Sequence, residues 1–278
     1  MSSRRERRSG TFANGMEFLT WGSGPKALLF IPGGPGSAIP KGISFRLSRR
    51  WFDPFVEAGY VIWFVTRRRN MPIGHTVADM ADDYAQAISE DLGGRVDLVV
   101  GESYGGMIAQ HLAARHGASW DRVAIVVAAA EVSDWGKDVD SRLSSALARG
   151  DKAGFGMAFA EYALPGQRSR WVRRLVGPWI GRVLLSGKSY PPEDLLVEIA
   201  AEMSFDSRPA LPRIEGPVVL VCGDRDRFFP VGVVEETVRL IPDCTLIRYE
   251  GQGHMKVATS RSVAHDVLAF VNGKDRCV

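Results

Sequence analysis

A serine fenced by glycines ends an apolar run in residues 99–109, VVGESYGGMIA. Two valines precede Gly101, Ser103 follows, and Gly105 and Gly106 come after it. This G-x-S-x-G spacing falls between an expected strand (96–101) and an expected helix (104–116), which suits a nucleophile that must project from the backbone. A tight strand-to-helix turn exposes the hydroxyl but forces a strained φ/ψ on the serine. The residues two places either side must then be small, as Gly101 and Gly105 are. The helix opening after Ser103 would aim free N–H groups and its positive dipole end at the same spot. The alternative is a glycine-rich turn whose serine merely caps a helix.

A serine hydroxyl is a weak nucleophile until a base takes its proton. Of the five histidines, His111 and His116 fall on the helix after Ser103, His75 precedes a helix and His265 lies inside one. His254 differs: it sits in GQGH, a loop between the last strand and the last helix, at the same sheet edge as Ser103. It is the candidate base. An imidazole in that role needs a carboxylate to fix its tautomer and stabilise its cation. CGDRDRFFP supplies Asp224 and Asp226. Asp226, three residues past the strand-ending Gly223, has room to turn toward the histidine. Asp224 and Glu131 are alternatives, and both aspartates could instead pair locally with Arg225 and Arg227.

A developing oxyanion needs preorganised N–H donors. Tyr104, directly after Ser103, offers one, and Gly34 in PGGPGS offers a second that no side chain obstructs. The same glycine run is unsuited to a dinucleotide. It lacks G-x-G-x-x-G spacing, contains a proline, and no helix clearly opens after it.

These residues need a scaffold. ALLFIP (27–32), YVIWFVT (60–66), VDLVVG (96–101), VAIVVAAA (123–130), VVLVCG (218–223) and TLIRYEG (245–251) are nearly continuous apolar runs. Such runs suit strands covered on both faces. Helical patterns lie between most of them, at 76–92, 104–117, 231–241 and 262–273. Thr76 and Asp79 form a capping-box pattern at the first. Residues 11–22 read as an antiparallel pair turning at Asn14-Gly15. The alternation predicts an α/β fold with a mostly parallel central sheet flanked by helices. Residues 131–208 break the rhythm with helical patterns and no strand. In its last helix Leu195, Leu196, Ile199 and Met203 form one face, and Asp194, Glu198 and Glu202 form a stripe expected to be solvated.

The formal charge of the 278 residues is +3, and the first ten residues, MSSRRERRSG, carry that excess alone. The rest is neutral overall, which argues against a nucleic-acid partner. No apolar run follows the basic start, so it reads as a disordered tail rather than an export signal. No stretch is long and apolar enough for a membrane span. Three widely spaced cysteines, Cys222, Cys244 and Cys277, argue against a disulfide framework or zinc site and fit a cytoplasmic setting.

On the motifs IPGGPGS, VVGESYGGMIAQHLAARH, CGDRDRFFP and GQGH, the chain resembles the α/β-hydrolase superfamily over roughly 20–131 and 209–273. The resemblance implies a Ser-Asp-His triad, here Ser103, Asp226 and His254, no cofactor, and a helical lid inserted after the sixth strand. The expected organisation is a tail at 1–10, a core at 11–131 and 209–278, and a lid at 132–208. GGPG is similar to the oxyanion loop of proline-iminopeptidase-type members. Those usually carry a histidine before the glycines, where this chain has Pro32, and often a tryptophan where it has Tyr104. In TRRRN (66–70), Arg67, Arg68 and Arg69 stand at the catalytic edge. They are candidates to bind an anionic substrate group, with solvated or structural roles as the alternative.

Between Tyr162 and Pro192 lie Arg168, Arg170, Arg173, Arg174, Arg182 and Lys188, with no acid. Trp171, Leu175 and Trp179 interleave with them. This pattern reads as a lid resting on anionic lipid or taking acidic, apolar substrates, or as a solvated basic face. The expected activity is hydrolysis of an ester of a small or medium, fairly apolar acid, with a small-molecule substrate, no nucleic acid and no integral membrane contact; the sequence leaves the oligomeric state open. The enzyme alternative is an aminopeptidase, which needs an acidic lid group for the substrate amine: Glu131, Asp134, Asp138, Glu161 or Glu202. The alternative of another class is a small-molecule-binding protein on a hydrolase scaffold.

Overall fold

The computed structural model describes residues 7–186 and 191–273. Expectations resting on residues 1–6, Lys188 and Cys277 lie outside the described residues. The strands are β1 (Arg8–Thr11), β2 (Glu17–Gly22), β3 (Lys26–Ile31), β4 (Tyr60–Val65), β5 (Leu98–Glu102), β6 (Val123–Val126), β7 (Val218–Gly223) and β8 (Cys244–Tyr249). They form one sheet in the order β1-β2-β4-β3-β5-β6-β7-β8. The pairs β1–β2 and β2–β4 are antiparallel, and the other neighbours are parallel. The α/β expectation is met, and its parallel part lies where the apolar runs placed it. Residues 8–10, expected to belong to a disordered tail, lie instead in β1. Arg8, Ser9 and Gly10 pair with Thr20, Leu19 and Phe18, because β2 would otherwise leave a row of edge hydrogen-bonding groups unpaired.

Alternate residues of each central strand enter different cores. Leu29, Ile31, Val99, Ile125 and Leu220 pack on one face. Leu28, Phe30, Leu98, Val100, Val219 and Val221 pack on the other. Burial on both faces of a pleat with period two is what makes the runs continuously apolar. The helices that cover these faces are α1 (Gly42–Glu57), α2 (Val77–Asp91), α3 (Tyr104–Arg115), α8 (Val231–Leu240), α9 (His254–Ala258) and α10 (Arg261–Val271). Thr76 caps α2 as its sequence suggested: its hydroxyl accepts from the Asp79 N–H at 3.1 Å, and Asp79 accepts the Thr76 N–H at 2.8 Å. Helix α1 was not anticipated. Pro54 lies inside it, and helix-interior prolines ordinarily argue against a helix. Phe52, Phe55 and Val56 nevertheless anchor it to the sheet.

Between β6 and β7 the chain forms α4 (Asp134–Ala148), α5 (Lys152–Ala163), α6 (Arg170–Leu184) and α7 (Pro192–Met203). Val139, Leu143, Phe155, Leu195 and Ile199 give these helices a small core of their own. The acidic stripe of α7 is not solvated: Asp194, Glu198 and Glu202 are all buried. Two of them reach donors in the loop after β4. Asp194 accepts the N–H groups of Asn70 and Met71 at 3.0 and 2.8 Å, and Glu198 takes the Arg67 guanidinium. Burial without such partners would be prohibitive for a carboxylate.

Candidate active site

Ser103 ends β5 and precedes α3 with φ 53° and ψ −115°, the strained corner its sequence context implied. Its N–H donates to Val126 O at 2.8 Å, tying the corner to β6. The flanking glycines are required by contact. A Cβ on Gly101 would lie 2.3 Å from Gly105 O, and one on Gly105 would lie 1.9 Å from Ile31 O. Gly105→Ala is therefore expected to lower stability by about 3 kcal/mol or more, since backbone on both sides must move. A chemical-denaturation midpoint within error of wild type would refute that close packing.

His254 opens α9, and its Nε2 lies 2.9 Å from Ser103 Oγ. Its Nδ1 lies 2.7 Å from Asp226 Oδ2. A carboxylate beside Nδ1 assigns the proton there, which leaves the Nε2 lone pair facing the serine hydroxyl. The Asp226 side chain is fully buried, and its Oδ1 accepts the N–H groups of Phe228 and Phe229 at 2.8 and 3.2 Å. The ring centroids of those two phenylalanines lie 5.1 and 6.1 Å from that of His254. The imidazole is thus held on its carboxylate by apolar neighbours.

The other candidates lie elsewhere. His75 meets Asp83 at 2.8 Å, His116 meets Asp82 at 2.6 Å, and His111 stands edge-on to Phe205. Glu131 is held by Lys137 and Arg208 at 2.7 and 2.5 Å.

The loop after β3 lies against the serine, where a Cβ on Gly33 would sit 3.1 Å from that of Ser103. Gly34, at φ 73°, adopts a conformation that favours glycine. The Arg67 guanidinium holds this loop. It donates to Pro32 O at 2.8 Å and Gly34 O at 3.0 Å, and its Nε and Nη2 grip Glu198 at 2.7 and 3.2 Å. Glu198 also accepts the Gly36 N–H, and its backbone O accepts the Tyr104 hydroxyl at 2.9 Å. The guanidinium lies over the Tyr104 ring, 4.5 Å from its centroid.

This corrects the expectation for Arg67, which has no exposed side-chain surface with which to meet a substrate anion. Arg68 and Arg69 also have internal partners, Asp83 at 3.1 Å and Glu17 at 2.6 Å. Sequence reading missed Arg67 and Glu198 as organisers of the loop. The available signal was Pro32, which cannot make a histidine's hydrogen bonds and so leaves the loop to be held by something else.

The insertion covers the His254 side. Trp135 and Tyr162 each place their ring 4.8 Å from Phe228. The Tyr162 hydroxyl donates to Asp140 Oδ1 at 2.5 Å. Asp140 Oδ2 and Glu202 Oε2 are buried with no partner among the described residues. Burial pushes Asp140 up to about 6 and Glu202 well above the usual carboxylate range.

Glu102, just before the nucleophile, is pushed up to about 7 by burial, with His254 pulling slightly the other way. A carboxylic acid whose pKa is raised by folding destabilises the fold as it ionises. The loss begins near the unfolded-state pKa and is complete above about 7. Glu102→Gln is therefore expected to match wild type near pH 4.5 and to exceed it by about 1–3 kcal/mol at pH 8. Parallel melting-temperature profiles of the two proteins across that range would contradict this.

The family model described as "Alpha/beta hydrolase family" matches residues 28–267. The pimeloyl-(acyl-carrier protein) methyl ester esterase of Chromobacterium violaceum is 28% identical over 177 residues, 61% of this chain and 68% of that one. An esterase from Exiguobacterium antarcticum superposes with a TM-score of 0.72 at 20% identity, covering 95% of this chain and 99% of its own. An enol-lactonase from Burkholderia xenovorans LB400 gives a TM-score of 0.68 at 19% identity, covering 93% and 98%. The last two likenesses concern the fold.

Proposed function

Because the chain belongs to the alpha/beta hydrolase family, we propose that it is a serine hydrolase cleaving a carboxylic ester, or a related acyl bond, through an acyl-enzyme. The observation that carries this reading is the unbroken relay Ser103 Oγ–His254 Nε2–Asp226, at 2.9 and 2.7 Å. His254 takes the Ser103 proton as Oγ attacks the carbonyl carbon and the π pair moves to oxygen. The N–H groups of Tyr104 and Gly34 hold that oxyanion. The intermediate collapses, and the leaving alcohol takes the proton from His254. Water then attacks the acyl-enzyme, giving its proton to His254. The second collapse releases the acid and returns the proton to Ser103. Asp226 stays ionised throughout and keeps Nδ1 protonated. No cofactor enters this scheme.

The rings of Phe228, Tyr162 and Trp135 beside His254 favour a small or medium, fairly apolar acyl group. The helices between β6 and β7 act as a lid that sets this preference. Among the described residues no helix is long and apolar enough to cross a membrane. The free cysteines Cys222 and Cys244 are consistent with a cytoplasmic, reducing setting. One observation favours the aminopeptidase as a second reading: Glu202, one of its candidate amine-binding acids, and Asp140 each keep a buried carboxylate oxygen without a partner among the described residues, as an ion-pairing acid awaiting an amine would. A panel of p-nitrophenyl esters of two to ten carbons beside proline and alanine anilides separates the two. Ester turnover with no anilide cleavage is expected. Release from free-amine anilides, but not blocked ones, would reverse the assignment.

A further inference from the structure

Helix α6 wears its apolar residues on the outside. Trp171, Leu175, Trp179 and Val183 follow one another at intervals of four and are 69, 73, 68 and 50% exposed. The row that faces inward is Arg173, Gly177 and Gly181. The glycines let α6 approach α5 backbone to backbone: a Cβ on Gly181 would lie 1.7 Å from Lys152 O, and one on Gly156 would lie 1.9 Å from Gly177 O. A helix serving only its own domain shows the opposite pattern, apolar inward and polar outward. Four large apolar side chains in a continuous exposed row therefore require an external partner.

The neighbouring row states the partner's charge. Arg170, Arg174 and Arg182 run beside the apolar row at the same spacing, broken by Pro178. Arg170 and Arg174 also line a groove of about 530 Å³ with Arg142, Arg149 and Arg173. The groove's single acid, Glu161, is already bound by Arg142 at 2.8 Å. Arg149, Arg170, Arg174 and Arg182 have no carboxylate partner among the described residues. Tryptophans beside unpaired arginines on one helix surface match an interface of acyl chains below and anionic headgroups above.

We propose that α6 docks this protein peripherally on an anionic bilayer surface. The apolar row enters the headgroup–acyl boundary, and the arginine groove receives lipid phosphates. The proposal stands apart from the proposed reaction, because its readout is binding rather than turnover.

The test is co-sedimentation of the full chain with phosphatidylcholine vesicles and with equimolar phosphatidylcholine–phosphatidylglycerol vesicles. Binding to the anionic vesicles is expected to exceed that to the neutral ones by about tenfold or more and to weaken with salt. The double variants Trp171→Ser/Trp179→Ser and Arg170→Glu/Arg174→Glu should each lower it about tenfold or more. Their melting temperatures should match wild type, since these side chains are exposed. Absence of binding to anionic vesicles would overturn the proposal, as would binding undiminished in the tryptophan variant. Self-association abolished by the tryptophan variant, without vesicle binding, would assign the row to a second copy of the chain and equally overturn it.

Discussion

Ser103→Ala is expected to lower kcat on p-nitrophenyl esters by about 10⁴-fold or more and to abolish fluorophosphonate labelling. In the proposed mechanism the loss is large because His254 and Asp226 act only through the serine oxygen. With Oγ gone, His254 has no proton to take and Asp226 nothing to stabilise. The same corner makes an opposite prediction for stability. At φ 53° and ψ −115°, Ser103 occupies backbone space that a non-glycine residue enters at a cost of about 1–3 kcal/mol. Glycine there relieves that strain but spends about 0.5–1 kcal/mol of extra chain entropy on folding. Ser103→Gly is thus expected to be inactive and more stable by about 1 kcal/mol, read as a rise in the urea midpoint. Labelling of the alanine variant at the wild-type level would remove Ser103 from the mechanism. A destabilised glycine variant would show that the corner holds no strain.

Breaking the Arg67–Glu198 bridge should cost both stability and rate. The two side chains are 0 and 2% exposed. Removing one partner leaves the other charge buried, which typically costs about 3–5 kcal/mol. In Arg67→Ala the carbonyls of Pro32 and Gly34 also lose their donors, so the loop carrying the Gly34 N–H is released. Because full truncation could prevent folding, the informative variant is Glu198→Gln, which keeps the shape and one acceptor while removing the charge. Its kcat is expected to fall about 10- to 100-fold with KM nearly unchanged, since the Gly34 N–H, as the proposed oxyanion donor, would matter chiefly in the transition state. A merely structural bridge would instead lower the melting temperature and leave the folded fraction turning over at the wild-type kcat.

The proposed catalytic residues were legible as a group because each is bound to a local pattern. Ser103 needs small neighbours two residues away, and a strand-to-helix corner leaves that requirement in the sequence. Asp226 and His254 follow parallel strands, and every parallel strand delivers its C-terminal end to the same sheet edge. Three residues more than a hundred positions apart in total thereby fall on one line, and the relay distances follow from the fold. The double-sided burial of the central strands was equally readable, as continuous apolar runs.

What only the tertiary structure decided is what opposes each face. The spacing of Asp194, Glu198 and Glu202 says that they share a side of α7, but a charged stripe looks the same whether water or an arginine faces it. Arg67, Arg68 and Arg69 are adjacent and chemically identical, yet one is buried under the glycine loop while the other two pair at its margin. Helix α6 reverses the usual inference outright. Its large apolar residues face outward because glycines bring its backbone against α5, and a periodic pattern gives the period of a face without its direction. Sequence therefore determined the Ser103 corner, the candidate partners that meet it and the sheet beneath them, because those depend on local geometry. The loop's arginine bolt and the exposed row of α6 depend on which elements meet, and packing alone decides that.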